Sequence, residues 1–254
     1  MNILVCVKQV VALEVRLRIA ASETTLAIDE QTEYRPNEFD LYAVEAALRL
    51  REAAGGNVDI ATVGPPRAAV AVRRALGMGA DRGVHIVTRT DNLDAFATAH
   101  CLAAYARDRR YELILAGVQS EDAMQGAVGP MIAAMLGLPC ATGVVENALV
   151  GGEIEAVRDV EGGRRERLAL SLPAVLTIQT GAESPRYPSL SHMLRANRAE
   201  LETYPAESFA PPPRRQFAAR LSYPCPTRAC VMLDGSATDK ARRLHQMLIE
   251  RNVL

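Results

Sequence analysis

The chain predicts an α/β fold: a parallel sheet with helices on both faces, added antiparallel strands, and an extended C-terminal arm ending in a helix. Three observations predict it. Short apolar runs alternate with helix-period segments of about ten to fifteen residues as far as residue 136. Beyond residue 141 the spacing shortens to strands joined by tight turns. Beyond Pro185 the chain becomes irregular and Pro-rich until an amphipathic segment opens at Ser236.

Residues 3–7 (ILVCV) form an apolar run suited to a strand buried on both faces. Residues 37–54 read as a helix, with Phe39, Tyr42, Ala43, Ala46, Leu50 and Ala54 at helical spacing and Gly55-Gly56 ending it. Further strands are expected at 58–63, 83–87 and 112–116. Further helices are expected at 67–76, 94–108 and 123–136. The fragment Gly77-Met78-Gly79 reads as a turn. Residues 141–146, 153–160, 165–171 and 174–179 read as the antiparallel strands, and the Arg/Glu alternation at 158–167 as a solvated strand face. The last helix places Ala241, Leu244, Met247 and Leu248 on one face, with Ser236 as N-cap. An arm of about fifty residues cannot bury itself well, and its terminal apolar face asks for a partner. The division expected is therefore 1–185 for the α/β domain and 186–254 for a C-terminal region that includes the arm.

Composition excludes several classes. The chain has 254 residues, 49% hydrophobic and 23% charged, enough for a full core. Its 29 basic and 30 acidic residues give a net charge of −1, and aromatics are 4% with no Trp. Neither a polyanion-binding field nor a stacking platform for nucleic acid is indicated. Five Cys with no CxxC spacing argue against disulfides or a zinc site, and Cys6, Cys101 and Cys140 read as buried thiols. MNILVCVKQV lacks a basic leader and no window of eighteen apolar residues exists, so neither a signal peptide nor a membrane span is expected. The expected compartment is the reducing cytoplasm.

There is no GxxxxGK[ST], no GxGxxG at a strand-to-helix turn, and no Ser/His/Asp or Cys/His constellation. No catalytic residue and no metal site is assigned. His85 and His100 read as satisfied structural histidines. In a parallel sheet, ligands lie at the carboxyl ends of strands, so the loops after residues 7, 63 and 116 are the places to look. The last of these runs Ala116-Gly117-Val118-Gln119-Ser120-Glu121-Asp122-Ala123-Met124-Gln125-Gly126-Ala127-Val128-Gly129. Small residues at 126, 127 and 129 let a ligand approach the backbone, and free N–H groups at a helix start favour an anion. Asp122 also suits an N-cap, the commoner use. Asn37 and Asp40 suit contacts to a ribose or base, and more commonly helix capping.

Six blocks together resemble the beta (small) subunit of electron-transfer flavoproteins. They are Val5-Cys6-Val7-Lys8-Gln9; Asn37-Glu38-Phe39-Asp40 with Ala43-Val44-Glu45-Ala46; Val63-Gly64-Pro65 with Arg74-Ala75-Leu76-Gly77-Met78-Gly79-Ala80-Asp81-Arg82; Ala116-Gly117-Val118-Gln119-Ser120 with Asp122; Val157-Arg158-Asp159-Val160-Glu161-Gly162-Gly163 followed by Leu172-Pro173-Ala174-Val175-Leu176-Thr177; and Pro185-Arg186-Tyr187-Pro188-Ser189-Leu190. The likeness covers residues 2–200, and the arm loosely. Gly117-Val118-Gln119-Ser120 with Asp122, and Ala12-Leu13-Glu14, are similar to the branch whose partners include amine dehydrogenases of methylotrophs.

The resemblance implies a heterodimer with a larger alpha subunit that holds most of the redox FAD, with AMP bound in this chain. It implies an electron carrier, not an enzyme, taking electrons from partner dehydrogenases to a quinone-linked oxidoreductase. It places Cys6, Asn37, Phe39, Asp40, Val63, Gly117, Gln119, Ser120, Asp122, Gln125, Gly126, Ala127 and Val128 around the AMP. Leu13 and Phe39 match positions near the flavin. Tyr187 and Leu190 match the recognition loop that docks on dehydrogenases, and residues 186–254 match that loop plus an arm packing on alpha. The chain departs from the pattern where Met124, Gly126 and Ala127 replace a further Asp and a polar Asn or Gln, and where Val11-Ala12 replaces a proline. Gly64-Pro65-Pro66 and Ala97-Thr98 resemble bifurcating relatives, which hold a second FAD in place of AMP. A stand-alone enzyme acting on adenine nucleotides is the remaining alternative, since related parallel-sheet folds include ATP pyrophosphatases.

Overall fold

The structure is a computed structural model. It describes residues 1–12, 17–29, 32–89, 93–181, 183–224 and 230–253. The chain divides into two units, one of Met1–Arg18 with Ala27–Ala218 and one of Ile19–Leu26 with Ala219–Leu254.

The first unit runs β1 (Asn2–Cys6), β2 (Gln9–Val11), β3 (Tyr34–Pro36), α1 (Glu38–Ala54), β4 (Asn57–Gly64), α2 (Ala69–Met78), β5 (Arg82–Val87), α3 (Ala95–Arg107), β6 (Leu113–Gly117), α4 (Val128–Leu136), β7 (Cys140–Val150), β8 (Glu153–Val160), β9 (Arg164–Ser171), β10 (Ala174–Ile178), α5 (Leu190–Arg198) and β11 (Glu202–Pro205). A nine-stranded sheet has the order β11-β5-β4-β1-β6-β10-β7-β8-β9. It is parallel from β11 to β7 and antiparallel from β7 to β9. β2 and β3 form a separate antiparallel pair.

The apolar runs become central strands because helices cover both sides of them. Ile3, Leu4 and Val5 are all 0% exposed. Ile3 and Val5 pack with Ala43, Val44, Ala47 and Leu48 of α1 and with Val72 and Ala75 of α2. Leu4 and Cys6 pack on the opposite face with Cys101, Leu102 and Tyr105 of α3 and Ile132 of α4. The chain leaves β1 toward β4 and β5 on one side, then returns to place β6 on the other. The topological switch therefore lies between β1 and β6, where an open α/β sheet leaves a crevice at its carboxyl edge.

Several expectations need correction. The irregular stretch expected from Pro185 begins later, since only from residue 210 do the described residues lack helix and strand as far as residue 236: α5 and β11 return to the body, and β11 pairs parallel with β5. Their signals are weak because α5 has nine residues and β11 is an edge strand of four that is largely exposed. β10 is not an antiparallel addition but lies parallel between β6 and β7. Its run Ala174–Ile178 is wholly buried, the signature of a central parallel strand. Gly77 and Met78 belong to α2, and only Gly79, at φ 120°, ends it. The helix expected from residue 123 begins at Val128, because Met124 (φ 50°) and Gly126 (φ 60°) take left-handed conformations.

The second unit contains α6 (Ala237–Glu250), where Ser236 caps as expected by accepting from the Asp239 N–H. Within the same unit Leu221 donates its N–H to Glu23 O, and Ile19 donates its N–H to the Tyr223 hydroxyl. No residue of α6 is buried.

Candidate functional site

The carboxyl ends of β4, β1 and β6 lie side by side, with Cys6 in register with Ala61 on one side and Ala116 on the other. Past these ends the chain leaves in three segments, of which those after β1 and β6 are tied to the start of α1. Asn37 stands where a helix cap would stand, yet its side chain makes no cap bond. Instead its amide donates to Gln119 O at 2.9 Å and accepts from the Glu121 N–H at 3.0 Å. Asp40 accepts from the Lys8 N–H at 2.7 Å and the Gly117 N–H at 3.0 Å. Both side chains are almost fully buried, at 1% and 5% exposure. The capping roles expected for them are replaced by roles that tie the loop after β6, and for Asp40 the segment after β1, to the start of α1.

Burial pushes the Asp40 carboxyl up to about 7, against the pull of its hydrogen bonds from Lys8, Asn37 and Gly117. Burial, with the nearby Asp40 charge, pushes the Cys6 thiol up to about 12, and burial takes Cys101 to about 11. Both thiols are neutral packing groups, not nucleophiles. His85 Nε2 lies 3.0 Å from Gly64 O and His100 Nε2 2.9 Å from Phe209 O, the satisfied roles expected.

Ion pairs complete the loop. Lys8 Nζ lies 2.6 Å from Asp122 Oδ1 and donates to Ser120 Oγ at 3.3 Å. Arg35 Nη2 lies 2.9 Å from Glu121 Oε1. Asp122 is therefore a partner of Lys8 and does not cap α4. Lys8, Arg35 and Glu121 hold the candidate loop, and sequence reasoning assigned them no role. Lys8 carried one usable signal, its place just past a strand's carboxyl end. Pairs 114 residues apart, such as Lys8 with Asp122, leave no local trace.

The loop then descends to α4. No side chain caps α4 at Ala127. The first turn's N–H groups have no intrahelical partner, and Pro130 within that turn has none to offer. Gln125 is exposed, while Gly126, Ala127 and Val128 are half-buried. Val63 packs on the α3–α4 side near Cys6. Phe39 is half-buried at the start of α1 and approaches Gly117. A Cβ on Gly117 would meet Asp40 Oδ1 at 2.5 Å and the Asp40 N at 2.8 Å, so the position demands glycine. Leu13 lies outside the described residues.

An electron transfer flavoprotein domain model matches residues 25–208. The beta subunit of the electron transfer flavoprotein of Bacillus subtilis is 36% identical over 204 residues, 80% of this chain and 78% of its own. That of Methylophilus methylotrophus is 31% identical over 263 residues, covering 98% of both chains. That of Bos taurus is 33% identical over 207 residues, 80% of both. The chain belongs to the electron transfer flavoprotein beta-subunit family.

In this family member the segment expected to recognise partners is fastened to α1. Glu45 is 2% exposed. It receives Arg186 Nε at 2.8 Å and Nη2 at 3.0 Å, while Arg186 Nη1 reaches Glu52 at 2.6 Å. Burial raises the Glu45 carboxyl, but hydrogen bonds from Arg186 and Arg49 outweigh it and hold the group below its ordinary range. Just beyond, Tyr187 is 89% and Leu190 78% exposed. Among the described residues no helix is long and apolar enough to cross a membrane, and no group of three or more His, Cys, Asp or Glu could hold a metal.

Proposed function

We propose that this chain is the beta subunit of a heterodimeric electron-transfer flavoprotein that carries electrons from dehydrogenases to a quinone-linked acceptor. The redox FAD would lie mainly in the alpha subunit and AMP in this one. One observation carries the nucleotide reading. The loop after β6 is locked at its start by Asn37 and Asp40, then runs to an uncapped helix N-terminus at the switch between β1 and β6. Backbone N–H groups at such an end favour a phosphate. The residues present fit AMP: Gly126 and Ala127 carry little side chain at the approach to α4. The departures at 124, 126 and 127 fit the same reading, because backbone contacts replace side-chain ones.

Each residue then has its own task. Gly126, Ala127 and Val128 would line the phosphate end, with Gln119, Ser120 and Gln125 beside it. Cys6 and Val63 would form the apolar floor at the strand ends. Asn37, Asp40 and the Lys8–Asp122 pair set the loop's shape. Phe39 and Leu13 would approach the flavin ring, which supplies the electron-accepting chemistry when bound. No side chain of this chain is assigned a bond-making role. The second unit, with α6 uncovered within itself, would pack on the alpha subunit. A cytoplasmic location accords with the sequence.

The Gly64-Pro65-Pro66 turn supports a second reading, in which a second FAD replaces AMP. Co-expression with the alpha subunit tests the main proposal. A yellow 1:1 complex that a dehydrogenase reduces is expected. A chain that stays apart from alpha, or a complex that turns over ATP, contradicts it.

A further inference from the structure

The proposed docking tip does not stand alone. Leu194 (52% exposed) lies one turn along α5 from Leu190, and Val70 of α2 is 54% exposed. α5 rests on α2, with Met193 seated where a Cβ on Gly77 would be. Arg73 of α2 closes the end of α5 by donating to Ala196 O at 2.7 Å and Ala199 O at 2.9 Å. Arg74 places its guanidinium 5.5 Å from the Tyr187 ring centroid. Val70, Arg73, Arg74 and Gly77 form one row of α2, the row on which α5 sits.

The charge on this platform is one-sided. Residues 65–78 and 186–198 contain no Asp or Glu, but they contain Arg67, Arg73, Arg74, Arg186, Arg195 and Arg198, of which Arg186 is neutralised by Glu45 and Glu52 of α1. Among the described residues Arg74, Arg195 and Arg198 have no carboxylate within 4.0 Å. Several arginines of the sheet are paired with carboxylates, as Arg82 with Asp59, Arg158 with Glu166 and Arg167 with Glu155. In a chain of net charge −1 this is a local excess of positive charge around an apolar centre.

We propose that α2 and α5 form a basic platform around Tyr187, Leu190 and Leu194 that docks a protein whose apolar pocket is rimmed by carboxylates. The inference rests on the docking role of Leu190 and adds the second helix, the rim and the chemistry of the partner's surface. An anionic membrane is less suited. α5 spans nine residues and its Met193 side is already occupied by α2, which leaves little apolar face to bury in lipid. A leucine entering a pocket supplies affinity, and rim arginines facing carboxylates supply steering and orientation.

The test uses the heterodimer purified with its alpha subunit, and the purified dehydrogenase from the same organism that reduces it fastest. The second-order reduction rate is measured from about 10 mM to about 1 M salt, over which the Debye length shortens from about 30 to about 3 Å. The wild-type rate should fall steeply. An Arg195→Gln/Arg198→Gln double variant should be about tenfold slower at low salt and show a flattened salt dependence, with flavin content unchanged. Leu190→Ala should be slower at every salt concentration with the slope retained. An arginine variant with wild-type slope, or one that is faster, overturns the basic rim while leaving Leu190 docking intact. A Leu190→Ala protein as fast as wild type contradicts the docking reading itself, and no reduction by any dehydrogenase contradicts the electron-carrier reading. Sedimentation with phosphatidylserine vesicles that the arginine variant abolishes would assign the platform to a membrane and overturn the proposal.

Discussion

Gly117→Ala should damage the candidate nucleotide site more than any exposed loop substitution of the same size. The added Cβ would stand 2.5 Å from Asp40 Oδ1, 2.7 Å from Phe39 Cβ and 2.8 Å from the Asp40 N. None of these is the free end of a flexible side chain. Asp40 Oδ1 is fixed by its bond from the Gly117 N–H, and the other contacts belong to the first turn of α1. Overpacking of this kind costs about 1–3 kcal/mol. Displacing the loop also strains a hydrogen bond to a carboxylate, worth about 1.5–3 kcal/mol. A combined loss of about 2–5 kcal/mol is expected, since the two effects overlap. For a body of this size that lowers the thermal midpoint by at least about 4 °C. The assay is thermal unfolding of the heterodimer, with bound nucleotide measured on the same preparation. Ala123→Ser, on an exposed residue of the same loop, is the control and should stay within about 0.5 kcal/mol of wild type. A Gly117→Ala protein with unchanged midpoint and unchanged nucleotide would show that the loop is not pinned by α1.

The same geometry sets three further outcomes. Asn37→Ala leaves Gln119 O and the Glu121 N–H without their partner and should cost about 1–3 kcal/mol in urea unfolding, with reduced nucleotide content; wild-type stability would contradict the tie. Asp40 has a folded value of about 7 above its ordinary 3.8, so the folded state holds the proton more tightly than the unfolded one. Its contribution to stability is therefore present at low pH and lost as pH rises across that window, by up to about 1.4 kcal/mol per pH unit. Asp40→Asn should flatten the pH profile between those limits, and an unaltered slope would remove Asp40 as its source. Arg186→Gln leaves buried Glu45 with only Arg49 and should cost about 1–3 kcal/mol, discounted because Arg186 is itself about one-third exposed; hydrogen exchange of residues 186–190 should rise with it. Unchanged exchange would show that the docking segment is held by other contacts.

The first central strand was legible because burial on both faces writes itself as an uninterrupted apolar run, as in Ile3–Val7; Ala174–Ile178 carries the same run and was legible as a strand but not as a central parallel one. Periodicity located α1 and α3, and a cap marked α6, where Ser236 accepts a first-turn N–H; Asp94 does the same for α3. What escaped lacked that signature. β11 pairs through backbone groups at an edge, so its side chains carry no pattern, and the three-residue strands β2 and β3 are too short to show one. The candidate site was legible as a place, the carboxyl ends of β1, β4 and β6, but less so as chemistry. Asn37 and Asp122 carry the sequence marks of caps, and both are drawn instead to partners more than eighty residues away. Local propensity states only what a side chain offers; the fold decides which distant group accepts it.

The most direct measurement is acid release of bound nucleotide from the purified heterodimer, followed by chromatography. One AMP per beta chain, together with one FAD per heterodimer, is the expected result. A second FAD in place of AMP would contradict the AMP assignment in favour of the second reading, and no nucleotide beyond the alpha subunit's FAD would contradict the proposed site.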